Sequence, residues 1–518
     1  MECKINDLPD VLLEYILSLI PPYKDLQECR LVCKRWLCAT KNVIQHNKAH
    51  FHKSVAYGSL VWSQWPPTHW TPTIAKRHSH SACTYENSMY VFGGCTATCT
   101  TFNDLWRLDL DTRTWVRLIT MGSYPSPKAC ATMLYYKKSF ILFGGWSHPS
   151  PYPLHQQWKL FNELHVYSIE SNKWIAINTL ETPPPTSAHS ASIHNNYMIV
   201  FGGICNRYRC NDVWCLNLDT YSWHKQLTSN LKPQPRYGQS QIELGDKHLL
   251  VLGGCTAPTV AMNDAWLLKM EGPEWTWRKV EMHNTEWAPT RIWYQACKVG
   301  NYVIVLGINK CQSKRNDMSR LLKKFACPGT AGPRPNEAPL HARQGNIPRI
   351  EVEVNVNGRH GAFSKVCPPN PRPPPHMPNY PNDNVISMAA FCMEAMRNVS
   401  NIYRQRQLES LRRIEESIKN RRTQTKSVKK TGNTLSIFVL DITNVLCDEC
   451  TASWIPLKHN DQSGPDERIL YSLVAGRGEL IVFGGIGKEQ TSVPNNLDMD
   501  ESEVYNDLHF INPPRYII

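Results

Sequence analysis

The sequence predicts a mainly β protein in which six similar four-stranded sheets close into a ring, with a short all-α module before them. Three features support this prediction. Apolar runs that end in a diglycine recur along the chain, an Asn followed by an acidic residue comes after each diglycine, and a Trp follows most of these pairs. A chain of 518 residues is long enough to bury the large core that such a ring requires.

The diglycines stand at the ends of apolar runs such as SMYVFGG and SFILFGG, which are typical of strands buried on both faces. Two consecutive glycines allow positive φ and let neighbouring sheets approach closely. The five diglycines are Gly93-Gly94, Gly144-Gly145, Gly202-Gly203, Gly253-Gly254 and Gly484-Gly485, so that the first four start 51, 58 and 51 residues apart and the last starts 231 residues later.

Each diglycine is followed by a loop and then by an Asn next to an acidic residue, and a Trp stands twelve residues after the first four Asn. The pairs are Asn103-Asp104, Asn162-Glu163, Asn211-Asp212, Asn263-Asp264 and Asn506-Asp507, and the Trp residues are Trp115, Trp174, Trp223 and Trp275. A repeat of about 50 residues with strand, diglycine, strand and Trp is the pattern of Kelch repeats, which form β-propellers. We interpret these residues as building the fold, with each Trp covering the face between adjacent blades.

A fifth copy is interrupted. Residues 301–307 (NYVIVLG) resemble a copy that has lost one Gly, but the strand expected after the next loop appears only at 435–442 (LSIFVLDI), with Trp454 beyond it. The sequence therefore predicts an insertion over 308–433 in the fifth blade. The sixth copy follows this insertion, which explains why the last diglycine lies so far from the others.

The sixth copy has no Trp, so another segment must complete its sheet. Just before the first repeat comes SLVWSQW (59–65). We expect this segment to supply the outer strand of the last blade and so to close the ring.

The positive charge is concentrated in the insertion. The whole chain carries a net charge of +13, while residues 308–433 hold 23 Lys and Arg against 9 Asp and Glu, which is +14 and leaves −1 for the rest. This distribution argues against a protein that coats nucleic acid. The insertion contains a Pro-rich tract (367–381) and a predicted basic helix (385–422). This helix could contact a partner helix, an acidic surface or nucleic acid, or serve nuclear import with RRTQTKSVKK (421–430), or be solvated with no dedicated ligand.

The first 36 residues predict two short amphipathic helices that cannot fold alone and need a partner surface. The motifs Leu8-Pro9, Leu12-Leu13, Ile16-Leu17-Ser18 and LVCKRW (31–36) closely resemble an F-box. The whole chain, except for the insertion, is similar to F-box/Kelch proteins. In that family the F-box docks on the adaptor Skp1, which links it to a cullin–RING ubiquitin ligase. By resemblance, the residues that contact Skp1 are Leu8, Pro9, Leu12, Leu13, Ile16, Leu17, Leu31, Val32 and Trp36, although some of them must form internal core instead.

The predicted organisation is an F-box over 1–45, a linker with the closing strand over 46–65, Kelch repeats one to five over 66–307, the insertion over 308–433, and the rest of repeats five and six over 434–518. In such a propeller the loops after each diglycine share one face with the segments that lead into each blade. Aromatic and Arg side chains there are typical of interface hot spots and would suit an acidic or phosphorylated peptide. The candidate substrate-binding residues are Arg77, Trp146, Tyr152, Arg207, Tyr208, Arg209, Arg236, Tyr237 and Arg291. Alternatively, Arg77, Arg236 and Arg291 recur at blade starts as structural ion-pair residues.

The resemblance implies a substrate-recognition subunit of a Skp1–cullin–F-box ubiquitin ligase, whose propeller binds an unidentified protein substrate. An alternative is a scaffold that binds Skp1 without cullin, or a Kelch propeller that only tethers partners. The sequence lacks the convergent Tyr and His ligands that a copper oxidase would need. It also lacks a second Cys pair that could complete a zinc site with Cys447-x-x-Cys450. We therefore expect no catalytic residues, no metal and no cofactor. Without a secretion signal or an apolar run long enough for a membrane span, the 19 Cys indicate reduced thiols in a cytoplasmic or nuclear protein with no membrane partner.

Overall fold

The computed structural model describes residues 5, 8–65, 72–148, 158–206, 208–258, 260–292, 295–308, 433–456, 464–488 and 502–514, and the structural statements below concern these residues. Three helices come first: α1 (Asp10–Ser18), α2 (Lys24–Cys29) and α3 (Lys34–Ala56). Residues 46–56, predicted to be a linker, are instead the second half of α3. The reason is that Phe51 and Val55, four residues apart, pack into the core of the neighbouring sheets.

The strands that follow form six four-stranded antiparallel units, here numbered I to VI. Unit I is Ser81–Tyr85, Ser88–Phe92, Leu105–Asp109 and Thr114–Leu118; unit II is Thr132–Tyr136, Ser139–Phe143, Leu164–Ser168 and Lys173–Ile177; unit III is Ser190–His194, Tyr197–Phe201, Val213–Asn217 and Trp223–Thr228. Unit IV is Ser240–Glu243, His248–Leu252, Ala265–Lys269 and Glu274–His283; unit V is Cys297–Val299, Tyr302–Gly307, Ser436–Asp441 and Thr451–Trp454; unit VI is Ser472–Ala475, Leu480–Phe483, Leu508–Asn512 and Val61–Trp65. A 3-10 turn spans Thr285–Trp287.

Hydrogen bonds near the innermost strands join each unit to the next and close a ring. They are Ser81 Oγ to Ala131 O (2.7 Å), Thr132 Oγ1 with His189 Nε2 (2.9 Å), Ser190 Oγ to Gln241 Oε1 (2.8 Å), Ala296 N to Ser240 Oγ (2.9 Å), Leu473 N to Gln295 Oε1 (2.7 Å) and His80 Nε2 with Ser472 Oγ (2.9 Å). The last of these joins unit VI back to unit I. The prediction of a mainly β chain with N-terminal helices and a β-propeller domain is confirmed.

Units V and VI each combine segments that are far apart in the sequence. In unit VI, Val61–Trp65 pairs antiparallel with Leu508–Asn512, with Val61 opposite Asn512 and Trp65 opposite Leu508. In unit V, Tyr302–Gly307 pairs with Ser436–Asp441, which places Gly307 opposite Ser436. The Pro-rich tract and the basic helix predicted for the insertion lie outside the described residues.

The diglycines bring neighbouring units into close contact. Both residues of each pair have positive φ, as in Gly93 (66°) and Gly94 (88°). The second Gly donates its N–H to a carbonyl of the next unit, as Gly94 does to Lys128 (2.9 Å). A Cβ added at Gly93 would lie 2.5 Å from the same Lys128 oxygen. Substitution here would therefore strain the backbone and separate the sheets.

In four units a Trp ring packs, in a tilted or edge-on orientation, against the Phe that precedes the diglycine of the unit before it. The ring centroids lie 4.9 Å apart for Trp115 and Phe483, 5.3 Å for Trp174 and Phe92, 4.8 Å for Trp223 and Phe143, and 5.1 Å for Trp277 and Phe201. The prediction was wrong in unit IV, where Trp277 rather than Trp275 fills this position. The turn at Gly272-Pro273 is two residues longer than its counterparts, and Trp275 is left half-buried.

Candidate functional site

The helical unit exposes large apolar side chains to solvent. Among the predicted contact residues, Leu31 is 84% exposed, Val32 61%, Leu12 47% and Ile16 38%, and Val11 (76%) and Leu19 (65%) add to them although the motif did not include them. We call these six residues the apolar face. Exposed apolar side chains in this number mark an interaction surface, because water solvates them poorly.

Two of the predicted contact residues are not accessible. Leu13 and Leu17 are fully buried, and they pack with Leu26, Ala39 and Val43 in the core of the helical unit. They lie four residues apart on the inner side of α1, while Leu12 and Ile16 lie on the neighbouring side. Their assignment to a partner contact is therefore corrected to internal core. Leu8 and Trp36 are half-buried, and Pro9 is exposed at the start of α1.

Polar contacts between α1 and α3 fix the shape of the apolar face. Arg35 at the start of α3 donates from Nε to Asp10 Oδ1 (2.7 Å) and from a terminal nitrogen to the Leu8 carbonyl. Further along, Asn42 Nδ2 donates to Glu14 Oε1 (2.7 Å). These bonds hold α1 against α3, so that the helices that carry the apolar face have a fixed arrangement.

A buried cluster joins the helical unit to the propeller. The Tyr23 hydroxyl, between α1 and α2, donates to the Glu479 carboxylate of unit VI. Arg113 of unit I donates to both Glu479 oxygens (2.9 and 3.0 Å) and lies 3.9 Å from the ring centroid of Phe510. Burial, together with the Glu479 charge, raises the pKa of Tyr23, so the phenol stays protonated. The second half of α3 also packs on units V and VI, so that Phe51 and Val55 share a core with the propeller.

We call the side formed by the loops after the diglycines and the segments leading into the units the loop face. Two aromatic residues that were predicted to be hot spots on this face are buried. Trp146 and Tyr237 are 2% and 4% exposed and pack with Cys95, Ile204 and Cys255, the residues that follow three other diglycines. The Trp146 ring also stacks on Trp158 at 4.5 Å. Both aromatics therefore form an inner layer beneath the loops, and their assignment to substrate contact is wrong.

Arg77 and Arg236 are also buried, each in a bidentate ion pair. Arg77 donates to the two Asp104 oxygens (2.7 and 3.0 Å) and to the Gly93 carbonyl (2.9 Å). Arg236 makes the same bonds to Asp264 (2.6 and 3.0 Å) and to the Gly253 carbonyl (2.9 Å). With no exposed surface, neither guanidinium can reach a substrate, and the structural alternative holds for both.

The sequence missed two further members of this series. Arg468 pairs with Asp507 in unit VI, and Lys128 Nζ lies 2.7 Å from Glu163 Oε2 in unit II. Burial alone would raise the pKa of Asp507, but hydrogen bonds from His509 and Arg468 outweigh it and lower this pKa to about 2. The signal that could have found them is positional, because each cation stands four residues before the first strand of its unit, as Arg77 stands before Ser81.

The remaining predicted substrate contacts lie at the surface or outside the described residues. Tyr208 is 78% exposed, and Arg209 and Arg291 are half-buried on the same loop face, where both lie near Cys255. Tyr152 and Arg207 are outside the described part of the chain. Val260, 50% exposed in the loop after the fourth diglycine, is a neighbouring apolar residue that the sequence analysis did not include.

The ring encloses a polar cavity of about 220 Å³ lined by residues that include His80, His189 and Gln239. Burial lowers the pKa of His189 to about 3 and that of His80 well below its usual range, so both imidazoles are neutral. Across the described ranges, no group of three or more His, Cys, Asp or Glu side chains could hold a metal ion. Likewise, none of the helices with assigned positions combines the length and apolar character of a membrane span.

Comparison with known domain families agrees with this architecture. Residues 5–44 match the F-box-like family, and residues 77–275 match the family described as FBX42, beta-propeller domain. The first match covers the helices that carry the apolar face. The second covers units I to III, the first three strands of unit IV and the start of its last strand.

Curated proteins similar to this chain include several Kelch domain-containing proteins. The chain is 28% identical over 255 residues to Kelch domain-containing protein 1 of Mus musculus, covering 45% of this chain and 61% of that protein. It is 27% identical over 236 residues to Kelch domain-containing protein 2 of Bos taurus (40% and 55%) and 28% identical over 194 residues to Kelch domain-containing protein 3 of Rattus norvegicus (36% and 50%). The chain thus spans about half to three-fifths of the length of these relatives.

Proteins that combine these two kinds of domain are typically non-catalytic adaptors. The chain carries an F-box-like domain followed by a Kelch-type β-propeller domain.

Proposed function

We propose that this chain is the substrate-recognition subunit of a Skp1–cullin–F-box ubiquitin ligase. In this role the apolar face binds Skp1, the loop face of the propeller binds a protein substrate, and the partner enzymes transfer ubiquitin. The chain itself contributes binding and positioning and no catalytic group. We place this activity in the cytoplasm or the nucleus.

The observation that carries the proposal is the apolar face. Leu31, Val32 and Leu12 belong to the F-box motif and are between 47% and 84% exposed, although the same helices have a complete core of their own in Leu13, Leu17 and Leu26. These exposed side chains are therefore not required for the internal packing of the helical unit. Their burial against an adaptor would remove apolar area from water, which favours binding by roughly 1.5–3 kcal/mol for each fully covered side chain.

The loop face suits a partner that carries negative charge and an extended backbone. Tyr208 offers an exposed aromatic ring, and Arg209 and Arg291 offer guanidinium groups that bind carboxylate or phosphate in a bidentate manner. We propose an acidic or phosphorylated peptide segment as the substrate feature. The buried Tyr23–Glu479–Arg113 cluster would then hold this face at a fixed position relative to Skp1.

The first test is binding of purified Skp1 to the wild-type chain and to Leu31→Asp by isothermal titration calorimetry. We expect the variant to bind at least about 30-fold more weakly, since a charge at a desolvated hot spot costs about 2 kcal/mol or more. The matched control is Ile119→Asp, which places the same charge at an apolar position that is 86% exposed on the propeller. Equal weakening by both variants, or wild-type chain that does not bind Skp1, contradicts the proposal.

The ligase role needs a second experiment, because Skp1 binding alone is also expected of a scaffold. Wild-type chain and Leu31→Asp are isolated from cells with and without proteasome inhibition, and cullin and other partners are measured. Loss of Skp1 and cullin in the variant, with other partners retained and increasing under inhibition, supports a ligase subunit. Skp1 without cullin in the wild-type sample favours the scaffold alternative.

A further inference from the structure

Two cysteines lie at the base of a short hairpin on the loop face. Ile204–Cys205 and Tyr208–Arg209 pair antiparallel, with Cys205 opposite Tyr208, and the Cys210 N–H donates to the Gly203 carbonyl (2.9 Å). Because paired residues and residues two apart point to the same side of a ribbon, Cys205, Tyr208 and Cys210 share one side. Gly203, opposite Cys210, has no side chain to separate the two thiols.

The hairpin pairing places the two thiols side by side. The Cys205 thiol also donates to Thr186 Oγ1 (3.4 Å). A hydrogen bond between the two thiols lowers the pKa of Cys205, although burial acts in the opposite direction. The same hydrogen bond, together with burial, raises the pKa of Cys210, so that Cys210 keeps its proton. Asp212 and Lys225, which pair with each other, act on the pKa of Cys205 in opposite directions. Of the two sulfurs, Cys205 is therefore the one that loses its proton more readily, and Cys210 lies beside it.

We propose that Cys205 and Cys210 form a reversible disulfide when the protein meets hydrogen peroxide. The Cys205 thiolate attacks one peroxide oxygen, forming an S–O bond and breaking the O–O bond, which releases hydroxide. Cys210 then loses its proton and attacks the Cys205 sulfur, so that the S–S bond forms and the S–O bond breaks with release of a second hydroxide. The two thiol protons convert both hydroxides to water, two thiols are oxidised, and one peroxide is reduced.

The disulfide would close the hairpin covalently and constrain the strand that carries the exposed Tyr208 ring. This chemistry does not depend on ligase activity. Where the loop face does bind substrate, the same bond would make a recognition loop sensitive to oxidants. The other buried thiol of unit III, Cys215, provides an internal comparison because burial raises its pKa to about 12 and it has no such neighbour in its core cluster.

The test is peroxide treatment of the folded full-length chain, followed by alkylation with N-ethylmaleimide and peptide mapping. We expect a Cys205–Cys210 cross-linked peptide that dithiothreitol reverses, with Cys215 recovered as a free thiol. The single variants Cys205→Ala and Cys210→Ser should each abolish this peptide, and in Cys210→Ser the remaining Cys205 should form a sulfenic acid that dimedone traps.

Two results would overturn the proposal. One is recovery of both Cys205 and Cys210 as free thiols at a peroxide concentration that oxidises the exposed Cys38. The other is linkage of either residue to a different cysteine. Oxidation of Cys215 in the same sample would mean that the chain had opened, and a peptide seen only under that condition also counts against the proposal.

Discussion

Units IV and III differ at the joint, which is the segment that leads into each unit and accepts an N–H from the diglycine of the unit before it. In unit IV, Arg236 is fully buried and donates to both Asp264 oxygens and to the Gly253 carbonyl. In unit III the corresponding position is Thr186, whose carbonyl accepts the N–H of Gly145 just as the Arg236 carbonyl accepts that of Gly203. Asp212 of unit III pairs instead with Lys225 (2.9 Å), whose side chain is 53% exposed.

The difference shows that the ring does not need a buried ion pair at every joint. At the position of Arg236 and Thr186, the buried polar group has a partner in both units. The buried guanidinium of Arg236 requires a carboxylate, whereas the hydroxyl of Thr186 needs only a weak contact such as the one with Cys205. Lys128 of unit II is an intermediate case between Arg236 and Thr186, because it is buried but makes a single bond to a partly exposed Glu163.

The largest effect should follow removal of the buried cation. We expect Arg236→Ala to lower the free energy of unfolding by about 3–5 kcal/mol, because Asp264 and the Gly253 carbonyl lose their partner in a buried setting. Urea denaturation at pH 7 measures this. Arg236→Lys, which mimics unit II, should recover part of the loss. A loss below about 1 kcal/mol for Arg236→Ala would show that the two joints are equivalent.

Acid should weaken the buried pairs in a defined range. The pKa of Asp507 in the folded state, about 2, lies below the ordinary value of 3.8. A carboxylate whose pKa is lowered by folding stabilises the fold above its unfolded pKa, and this contribution is lost as the pH falls through the folded value. Between about pH 4 and pH 2, unfolding free energy should therefore fall more steeply for the wild-type chain than for Asp507→Asn. Parallel slopes in the two chains would be inconsistent with a stabilised Asp507 carboxylate.

The smallest effect should come from unit III. Lys225→Ala removes the exposed partner of Asp212, and exposed ion pairs contribute about 0–1 kcal/mol. We expect a change in unfolding free energy within that range, and a smaller one at high salt because exposed charges are screened. A loss comparable with that of Arg236→Ala would mean that burial is not what separates the two units.

Much of the fold could be predicted because its signals are local and repeated. The diglycines have the positive φ and close contacts that the sequence suggested. The predicted position of the Trp between adjacent units was wrong where a turn has a different length, as at Gly272-Pro273. A fixed distance of twelve residues from Asn to Trp assumes identical turns. The helical character of residues 46–56 was missed, because the periodicity of Phe51 and Val55 lies beyond the recognised motif.

The binding residues were harder to predict. An Arg at a blade start and an Arg on a loop look alike in sequence, and only burial separates Arg77 from Arg209. In the same way, Leu12 and Leu13 are neighbours in one motif, but a rotation of about 100° along the helix sends one to solvent and the other to the core. Residue type indicates the chemistry that a site can perform. The register of each helix or strand decides which residues of that type are exposed and can contact a partner.

The pairing of Trp65 with Leu508 also has a consequence for biosynthesis. A ribosome that adds about 5–20 residues per second needs roughly 20–90 s to travel between these two positions. Until then the first strand has no neighbour, and the nascent sheets present an open edge of the kind that promotes association between chains. We therefore expect premature termination upstream of Leu508 to yield insoluble fragments, and chaperone demand to be greatest just before the last strand emerges.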